Sequence, residues 1–247
     1  MKFFFRKKDL DSRKKTILFV HEAGGSHLSW DFQLPLEKDF NIITVDLPGH
    51  GQSKGEGMET LEEHSEAVHQ LVHQEFSSLL PLILVGHSMG GGIVQHYALI
   101  YPQDVLAIIL VGTGAKMRVT NQILDNILED FEGVVNLISQ YGFHQSADPR
   151  IIQKKIDQFL ECLPEVMLRD FKACDAFNLF NEVKNISVPT LIICGTDDLL
   201  TPLKFSKYLH DQIPKSKLVE ISEAGHMTML EKPQVFNQAL KNFVDSI

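Results

Sequence analysis

The residues of this chain that could do chemistry centre on Ser88, in the run G-H-S-M-G at 86–90. An apolar stretch at 81–85 precedes this turn, and a stretch rich in small residues follows it. A serine on a sharp strand-to-helix turn holds its hydroxyl clear of the backbone, and the flanking glycines avoid a clash between helix and strand. The N–H of Met89, at the start of the helix, would point to where negative charge develops. The pattern favours a nucleophilic serine, and a glycine-rich turn with an incidental serine is the alternative.

Two later loops carry the other residue types that a serine nucleophile needs. The apolar run 190–194 leads into a loop with Asp197 and Asp198, and the run 217–221 leads into a loop with His226. Both runs are rich in β-branched residues and predict strands, so both loops should emerge at the carboxyl edge of a parallel sheet, where ligands bind. The order of serine, acid and histidine along the chain is the order that accompanies this kind of serine turn.

Two loops upstream complete the pattern. The apolar run 17–20 leads into H-E-A-G-G-S at 21–26, and the run 42–45 leads into D-L-P-G-H-G-Q-S at 46–53. With G-H-S-M-G-G, G-x-x-D-x-x-x-P and G-H further along, these motifs resemble those of the α/β-hydrolase superfamily, specifically its small capped members. They follow the family order from about Lys15 to the C-terminus. Jointly they are highly specific, whereas any one of them alone is not.

The resemblance implies a catalytic triad. It makes Ser88 the nucleophile, His226 the general base and then acid, and Asp198 the carboxylate that orients the histidine. Asp197 competes for this last role. The family places the acid three residues after a glycine and four before a proline, and this spacing selects Asp198.

The resemblance also assigns the oxyanion hole, and with it part of the substrate-binding site, to the backbone N–H groups of Ala23 and Met89. This sequence departs from many relatives at Glu22, where they have glycine. A negative charge aimed at the oxyanion would oppose catalysis. Turning the side chain outward, or pairing it with a cation or a hydrogen-bond donor, would avoid this. We expect Glu22 to be held away from the reacting carbonyl and to brace the 21–26 loop. Contact between Glu22 and the substrate is the alternative.

Strand and helix patterns alternate along the chain, which predicts an α/β fold: a mostly parallel sheet with helices on both faces, as in the α/β-hydrolase fold. Strands are expected near 3–5, 16–20, 41–45, 81–86, 106–111, 189–194 and 217–221. Helices are expected near 29–37, 59–79, 89–100, 203–212 and 232–246.

The alternation breaks once, between Gly114 and Val188, where no convincing strand occurs. Four amphipathic helices are expected there, over about 123–131, 134–141, 151–160 and 166–180. An insertion at this point, between the sixth and seventh strands of the family, matches the family's helical cap. The expected division is a hydrolase core at 1–114 and 188–247 and a cap at 115–187, with a minority of cap side chains shaping the pocket.

Composition and charge exclude several classes of protein. With 247 residues, 44% of them hydrophobic, the chain can bury a sizeable core in one α/β domain or two small ones. A net charge of −9 without a basic stripe argues against a nucleic-acid partner. Charges at 6–8 interrupt any signal peptide, and the longest apolar run, 105–111, is far short of the roughly 20 residues that span a bilayer. We expect no membrane partner, and a monomer or a homodimer.

The three cysteines, Cys162, Cys174 and Cys194, are odd in number and widely spaced, without a C-x-x-C motif. Reduced thiols in a reducing compartment are the simplest account, so a cytoplasmic protein is expected.

No cofactor or metal is expected. His21, His50 and His87 each adjoin a motif, but no H-E-x-x-H pattern or ligand cluster accompanies them. The glycine runs lack the spacing of nucleotide-binding loops.

The favoured function is a serine hydrolase that cleaves a carboxylic ester or a related small acyl substrate through an acyl-enzyme on Ser88. Cleavage of a C–C bond, a thioester or a lactone by the same triad is the alternative. A non-enzymatic small-molecule receptor on this fold is less favoured. The serine at position 88 excludes an aspartate nucleophile.

Overall fold

A computed structural model describes residues 3–247, and a seven-stranded sheet forms its centre. The strands are β1 (Phe4–Lys7), β2 (Thr16–Val20), β3 (Asn41–Asp46), β4 (Leu82–His87), β5 (Val105–Val111), β6 (Thr190–Gly195) and β7 (Ser216–Ile221). They lie in the order β1-β3-β2-β4-β5-β6-β7. The edge strand β1 pairs antiparallel with β3, and all other neighbours are parallel. The predicted α/β class with a mostly parallel sheet is confirmed.

Helices cover both faces of this sheet. They are α1 (Leu61–Glu75), α2 (Met89–Ile100), α3 (Asn121–Asn126), α4 (Phe131–Gly142), α5 (Pro149–Leu160), α6 (Pro164–Ala176), α7 (Leu203–Gln212), α8 (Thr228–Glu231) and α9 (Pro233–Asp245). Alternate residues of β2 enter two cores. Leu18 packs in the cluster that includes side chains of α1, α2 and α7, and Phe19 packs in the cluster with Trp30 and with Phe236 of α9. Strands buried on both faces explain why the sequence shows continuous apolar runs rather than alternation.

Two of the expected helices take a different form in the core. The segment predicted as a helix over 29–37 is a 3₁₀ helix, His27–Lys38, and Pro35 within it has no N–H for an α-helical hydrogen bond. The helix predicted over 59–79 is shorter. Thr60 caps α1 in a capping box with Glu63, so the helix begins at Leu61.

The segment between β5 and β6 holds α3 to α6 and no strand of the sheet within the described residues. The single helix expected over 123–131 is wrong. The Asp130 side chain accepts the N–H of Gly133, so Asp130 ends the preceding turn and caps α4 at its start. The fourth expected helix ends at Ala176 instead of near 180. Assignment of 115–187 as a cap stays a prediction.

Within residues 3–247, no helix is both long enough and apolar enough to cross a membrane.

Candidate active site

Ser88 lies between the end of β4 and the start of α2, with φ 51° and ψ −114°. A positive φ is strained for a residue other than glycine, so the surrounding structure must hold it. The Ser88 N–H donates to the Val111 carbonyl oxygen at 2.9 Å, and the Thr113 hydroxyl donates to the Ser88 carbonyl oxygen at 2.8 Å. The end of β5 and the loop after it therefore hold the turn that presents the serine.

The two glycines that flank Ser88 are required by close backbone approach. A Cβ atom on Gly86 would overlap the carbonyl oxygen of Gly90, and one on Gly90 would overlap the carbonyl oxygen of Val20. Neither clash can be relieved by moving a side chain, because the atoms that would be hit are backbone atoms. The G-x-S-x-G spacing thus follows from the packing of α2 against β2 and β4.

His226 and Asp198 are in direct contact. The Nδ1 atom of His226 lies 2.8 Å from Oδ2 of Asp198, and both side chains are buried. The Oδ1 atom of Asp198 accepts the N–H groups of Leu200 and Thr201 at 2.9 and 2.8 Å, and the Thr201 hydroxyl donates to Oδ2 at 2.8 Å. Asp197 is exposed. Of the two aspartates, the structure brings Asp198 to the histidine.

The contact sets the charges of the pair. Burial lowers the pKa of His226, but the charge and hydrogen bond of Asp198 outweigh it, so the pKa lies above the usual value. Burial raises the pKa of Asp198, and His226 and Thr201 outweigh it and lower the pKa below the usual value. With Asp198 ionised, Nδ1 of His226 carries the proton of the hydrogen bond, and Nε2 is left to accept another.

Ser88 and His226 line the same cavity, which has a volume of about 170 Å³. Most of its other walls are apolar, and the helices between β5 and β6 contribute Ile123 from α3, Ile138 from α4 and Phe171 from α6. Among residues 3–247, no hydrogen bond joins the Ser88 hydroxyl to His226. Such bonds often form only once substrate is bound, so the shared cavity is the relevant relationship.

Two backbone N–H groups near Ser88 have no acceptor among the described residues, those of Ala23 and Met89. Ala23 lines the cavity, and Met89 is the first residue of α2, where an N–H has no partner within the helix. Gly24, the residue after Ala23, has φ 64°, and its N–H donates to Oδ2 of Asp170 at 2.8 Å. The structure thus brings the two predicted donors to the region of the serine.

Glu22 is buried, and the described residues that line the Ser88 cavity do not include it. Its Oε1 atom forms an ion pair with the ammonium of Lys155 and accepts the Ser29 hydroxyl at 2.9 Å. Its Oε2 atom lies 3.2 Å from Nδ1 of His87. Burial raises the pKa of Glu22, but Lys155 and His87 outweigh it and hold the pKa well below the usual value. The expected kinds of partner are present, and the bracing role stays a prediction.

A second buried anion, Asp170 of α6, contacts the same part of the core. Its Oδ2 atom lies 2.7 Å from Nε2 of His50, in addition to accepting the Gly24 N–H. Burial raises the pKa of Asp170, but His50 outweighs it and lowers the pKa. Two helices of the segment between β5 and β6, α5 and α6, therefore each place one buried charge beside the loop that follows β2.

Sequence reasoning missed Lys155 and Asp170, although the helical pattern held a signal. Lys155 lies in the apolar stripe of α5, three residues after Ile152 and four before Phe159. Asp170 lies in the corresponding stripe of α6, between Met167 and Cys174. A charge in the middle of an apolar stripe indicates a buried partner.

One group among the described residues has ligand atoms close enough together to hold a metal ion. The ligand atoms of His69, His73 and Asp104 lie within 4.8 Å of one another. Asp104 directly precedes β5, so this group lies at the amino edge of the sheet, opposite Ser88.

Residues 17–239 match the sequence profile of the alpha/beta hydrolase family. The AB hydrolase superfamily protein YisY of Bacillus subtilis (strain 168) is 28% identical over 254 residues, which cover 94% of this chain and 92% of that protein. A solved thermophilic esterase is 32% identical with a TM-score of 0.85, covering 99% of this chain and 98% of its own. The enol-lactonase from Burkholderia xenovorans LB400 is 23% identical with a TM-score of 0.90, covering 98% and 96%.

Proposed function

Because this chain belongs to the alpha/beta hydrolase family, we propose that it is a serine hydrolase that cleaves a carboxylic ester or a related small acyl substrate through an acyl-enzyme on Ser88. One observation carries the proposal. Asp198 orients the ring of His226 through a 2.8 Å contact, and His226 and Ser88 open on one cavity. The family resemblance deduced from the sequence motifs is confirmed by the profile match.

The reaction begins when Nε2 of His226 takes the proton of the Ser88 hydroxyl and the serine oxygen attacks the substrate carbonyl carbon. The carbonyl oxygen becomes an oxyanion, which accepts the N–H groups of Ala23 and Met89. His226 then gives its proton to the leaving alcohol as the C–O bond breaks, and the acyl group remains on Ser88.

The second half repeats these roles with water. His226 takes a proton from a water molecule, whose oxygen attacks the acyl-enzyme carbonyl, and the same N–H groups hold the second oxyanion. The bond to Ser88 breaks, the proton returns to the serine oxygen, and the carboxylic acid leaves. Asp198 stays ionised throughout and stabilises the charge that His226 carries in each transition state.

The cavity limits the acyl group. A volume of about 170 Å³ with apolar walls fits a small or medium acyl chain. In this proposal α3, α4 and α6 act as a cap that covers the acyl group, since each contributes a wall residue.

The proposal is tested with a fluorophosphonate probe, which forms a covalent bond with an activated serine. Wild-type protein should take up one equivalent, located on the peptide that contains Ser88, and Ser88→Ala should take up none. The same protein is then assayed on nitrophenyl esters of graded acyl length beside a thioester, a lactone and a C–C substrate. Labelling on another residue, or an active Ser88→Ala variant, would overturn the mechanism. Turnover of the lactone or C–C substrate alone would keep the triad and replace the ester.

A further inference from the structure

A second opening, with a volume of about 460 Å³, adjoins the Ser88 cavity, and we name it the basic pocket. Its main lining residues are Lys116, Arg118, Phe180, Lys204, Phe205 and Tyr208. Arg118 and Phe205 line both the basic pocket and the Ser88 cavity. These two side chains therefore form the boundary between the cavity and the basic pocket.

The charge of the basic pocket is opposite to that of the chain as a whole. Three cationic side chains line it in a protein of net charge −9, and no acidic residue of the described part lines it. Arg118 lies 3.8 Å from Asp175. Within residues 3–247, no salt bridge joins Lys116 or Lys204 to a carboxylate, so two of the three charges are not neutralised by the protein.

The walls of the basic pocket are aromatic and tied to one another. The rings of Phe180 and Tyr208 stack with centroids 4.1 Å apart, and the Tyr208 hydroxyl donates to the Phe180 carbonyl oxygen at 2.7 Å. The Lys204 ammonium lies 5.6 Å from the centre of the Phe205 ring. The two contacts between Phe180 and Tyr208 join α7 to the chain that follows α6, so both segments hold this wall.

We propose that the basic pocket binds an anionic group of the substrate, a carboxylate or a phosphate, while the reacting carbonyl lies at Ser88. The proposal rests on the proposed function and adds a substrate class to it. The apolar cavity takes the uncharged part of the molecule, and the cations outside it take the charge. Arg118 lies where the two meet, and its planar guanidinium suits two-point contact with either anion.

This arrangement predicts a preference that depends on salt. A cleft lined by one sign of charge attracts the opposite charge and raises its local concentration, and dissolved ions screen that attraction between exposed groups. The preference should therefore appear mainly in KM, and it should shrink as ionic strength rises.

The experiment compares anionic esters with neutral partners of similar size. On the acyl side, mono-p-nitrophenyl adipate is compared with p-nitrophenyl hexanoate. On the leaving-group side, 4-acetoxyphenylacetate and 2-(4-acetoxyphenyl)ethyl phosphate are compared with the methyl ester of the former. Comparison of the two sides distinguishes an anion on the acyl group from one on the leaving alcohol. Comparison of 4-acetoxyphenylacetate with 2-(4-acetoxyphenyl)ethyl phosphate distinguishes a carboxylate from a phosphate.

We expect kcat/KM at low salt to be at least about tenfold higher for the anionic member of one of these sets. The ratio should fall towards one in 0.5 M salt, at roughly a 4 Å screening length, and in the double variant Lys116→Gln/Lys204→Gln. Lys207→Gln is the matched control. It lies on the same helix as Lys204 but pairs with Glu220 at 3.4 Å and does not line the pocket, so the ratio should be kept.

Equal kcat/KM for charged and neutral esters, or a preference that survives the double variant, would overturn the anion site while leaving the hydrolase intact. Calorimetric binding of adipate and of inorganic phosphate to Ser88→Ala tests the pocket without catalysis. If the added changes Lys116→Gln/Lys204→Gln weaken this binding about tenfold, the anion site is supported even if no ester is hydrolysed. Equal binding to both proteins would reject it.

Discussion

Lys155 and Glu22 form an ion pair whose side chains are only 1% and 4% exposed, and it joins helix α5 of the insertion to the loop after β2. The Lys155 ammonium also donates to the Ser29 hydroxyl at 2.9 Å and lies 4.3 Å from the centre of the Phe159 ring. Each charge has lost its hydration and depends on the other. The ion pair therefore links the loop that carries the Ala23 N–H to a buried charge on α5.

Removal of the cation alone should destabilise the protein strongly. Lys155→Met leaves the Glu22 carboxylate buried without its partner, which costs about 3–5 kcal/mol in comparable buried pairs. The double variant Lys155→Met/Glu22→Gln should recover most of this loss, because the uncompensated charge is gone. Urea unfolding of the three proteins measures the difference.

Lys154→Met is the control for that experiment. Lys154 is 60% exposed and lies 3.4 Å from Asp31, and an exposed pair contributes at most about 1 kcal/mol. If Lys155→Met is no more destabilising than Lys154→Met, the buried pair does not hold the loop.

The role of Glu22 can be separated from substrate contact. Since its carboxylate faces Lys155, Ser29 and His87, Glu22→Gln should lower thermal stability and lower kcat/KM by a similar factor for every ester. A uniform loss means that the loop and its oxyanion donors have loosened. A variant that reorders the preference between polar and apolar esters would place Glu22 in the binding site instead.

The two aspartates of the 195–202 loop should differ sharply. Asp198→Asn is expected to lower kcat about 10⁴-fold, the size of the effect for the corresponding aspartate of serine proteases, because an amide cannot fix the required tautomer of His226. Asp197→Asn, which changes an exposed side chain, should stay within a few-fold of wild type. Steady-state rates on one nitrophenyl ester measure both. The opposite ranking would move the acid by one position.

Ser88→Ala should separate chemistry from folding. The substitution removes one partly exposed oxygen and leaves the backbone with the same positive φ, so the melting temperature should change by no more than a few degrees. The rate constant kcat should fall by several orders of magnitude, about 10⁶-fold where a serine nucleophile has been removed elsewhere. Unfolding of the variant would mean that the serine side chain holds the turn.

The sheet was predictable because buried parallel strands appear in the sequence as long apolar runs. The serine turn was predictable because glycine is required where two backbones lie too close for a Cβ atom, as at Gly86 and Gly90. The selection of Asp198 over Asp197 came from the family spacing. The partner of Lys155 was not predictable: the apolar stripe of α5 signals burial, but the meeting with Glu22, 133 positions earlier, depends on how the insertion packs on the core. A local sequence pattern indicates which face of a helix is buried, but it does not indicate which other element that face contacts.

The pH dependence of the reaction should reflect the contact between His226 and Asp198. The reaction needs His226 unprotonated, and its pKa lies above the usual histidine value of 6.5, since Asp198 outweighs the effect of burial. The value of kcat/KM should therefore fall as the pH drops, with a midpoint above 6.5 that belongs to the free enzyme. In Asp198→Asn the largest raising influence on the pKa of His226 is gone, while burial still lowers it, so the residual activity should keep its plateau to lower pH. Glu22→Gln should also lower the midpoint, but by less, because Glu22 raises the pKa of His226 less than Asp198 does.

The midpoints are measured from initial rates on a neutral ester at constant ionic strength. The pH runs from 5 to 9, a range of roughly two units either side of neutrality. An acid limb that stays in place when Asp198 becomes asparagine would assign the titration to another group.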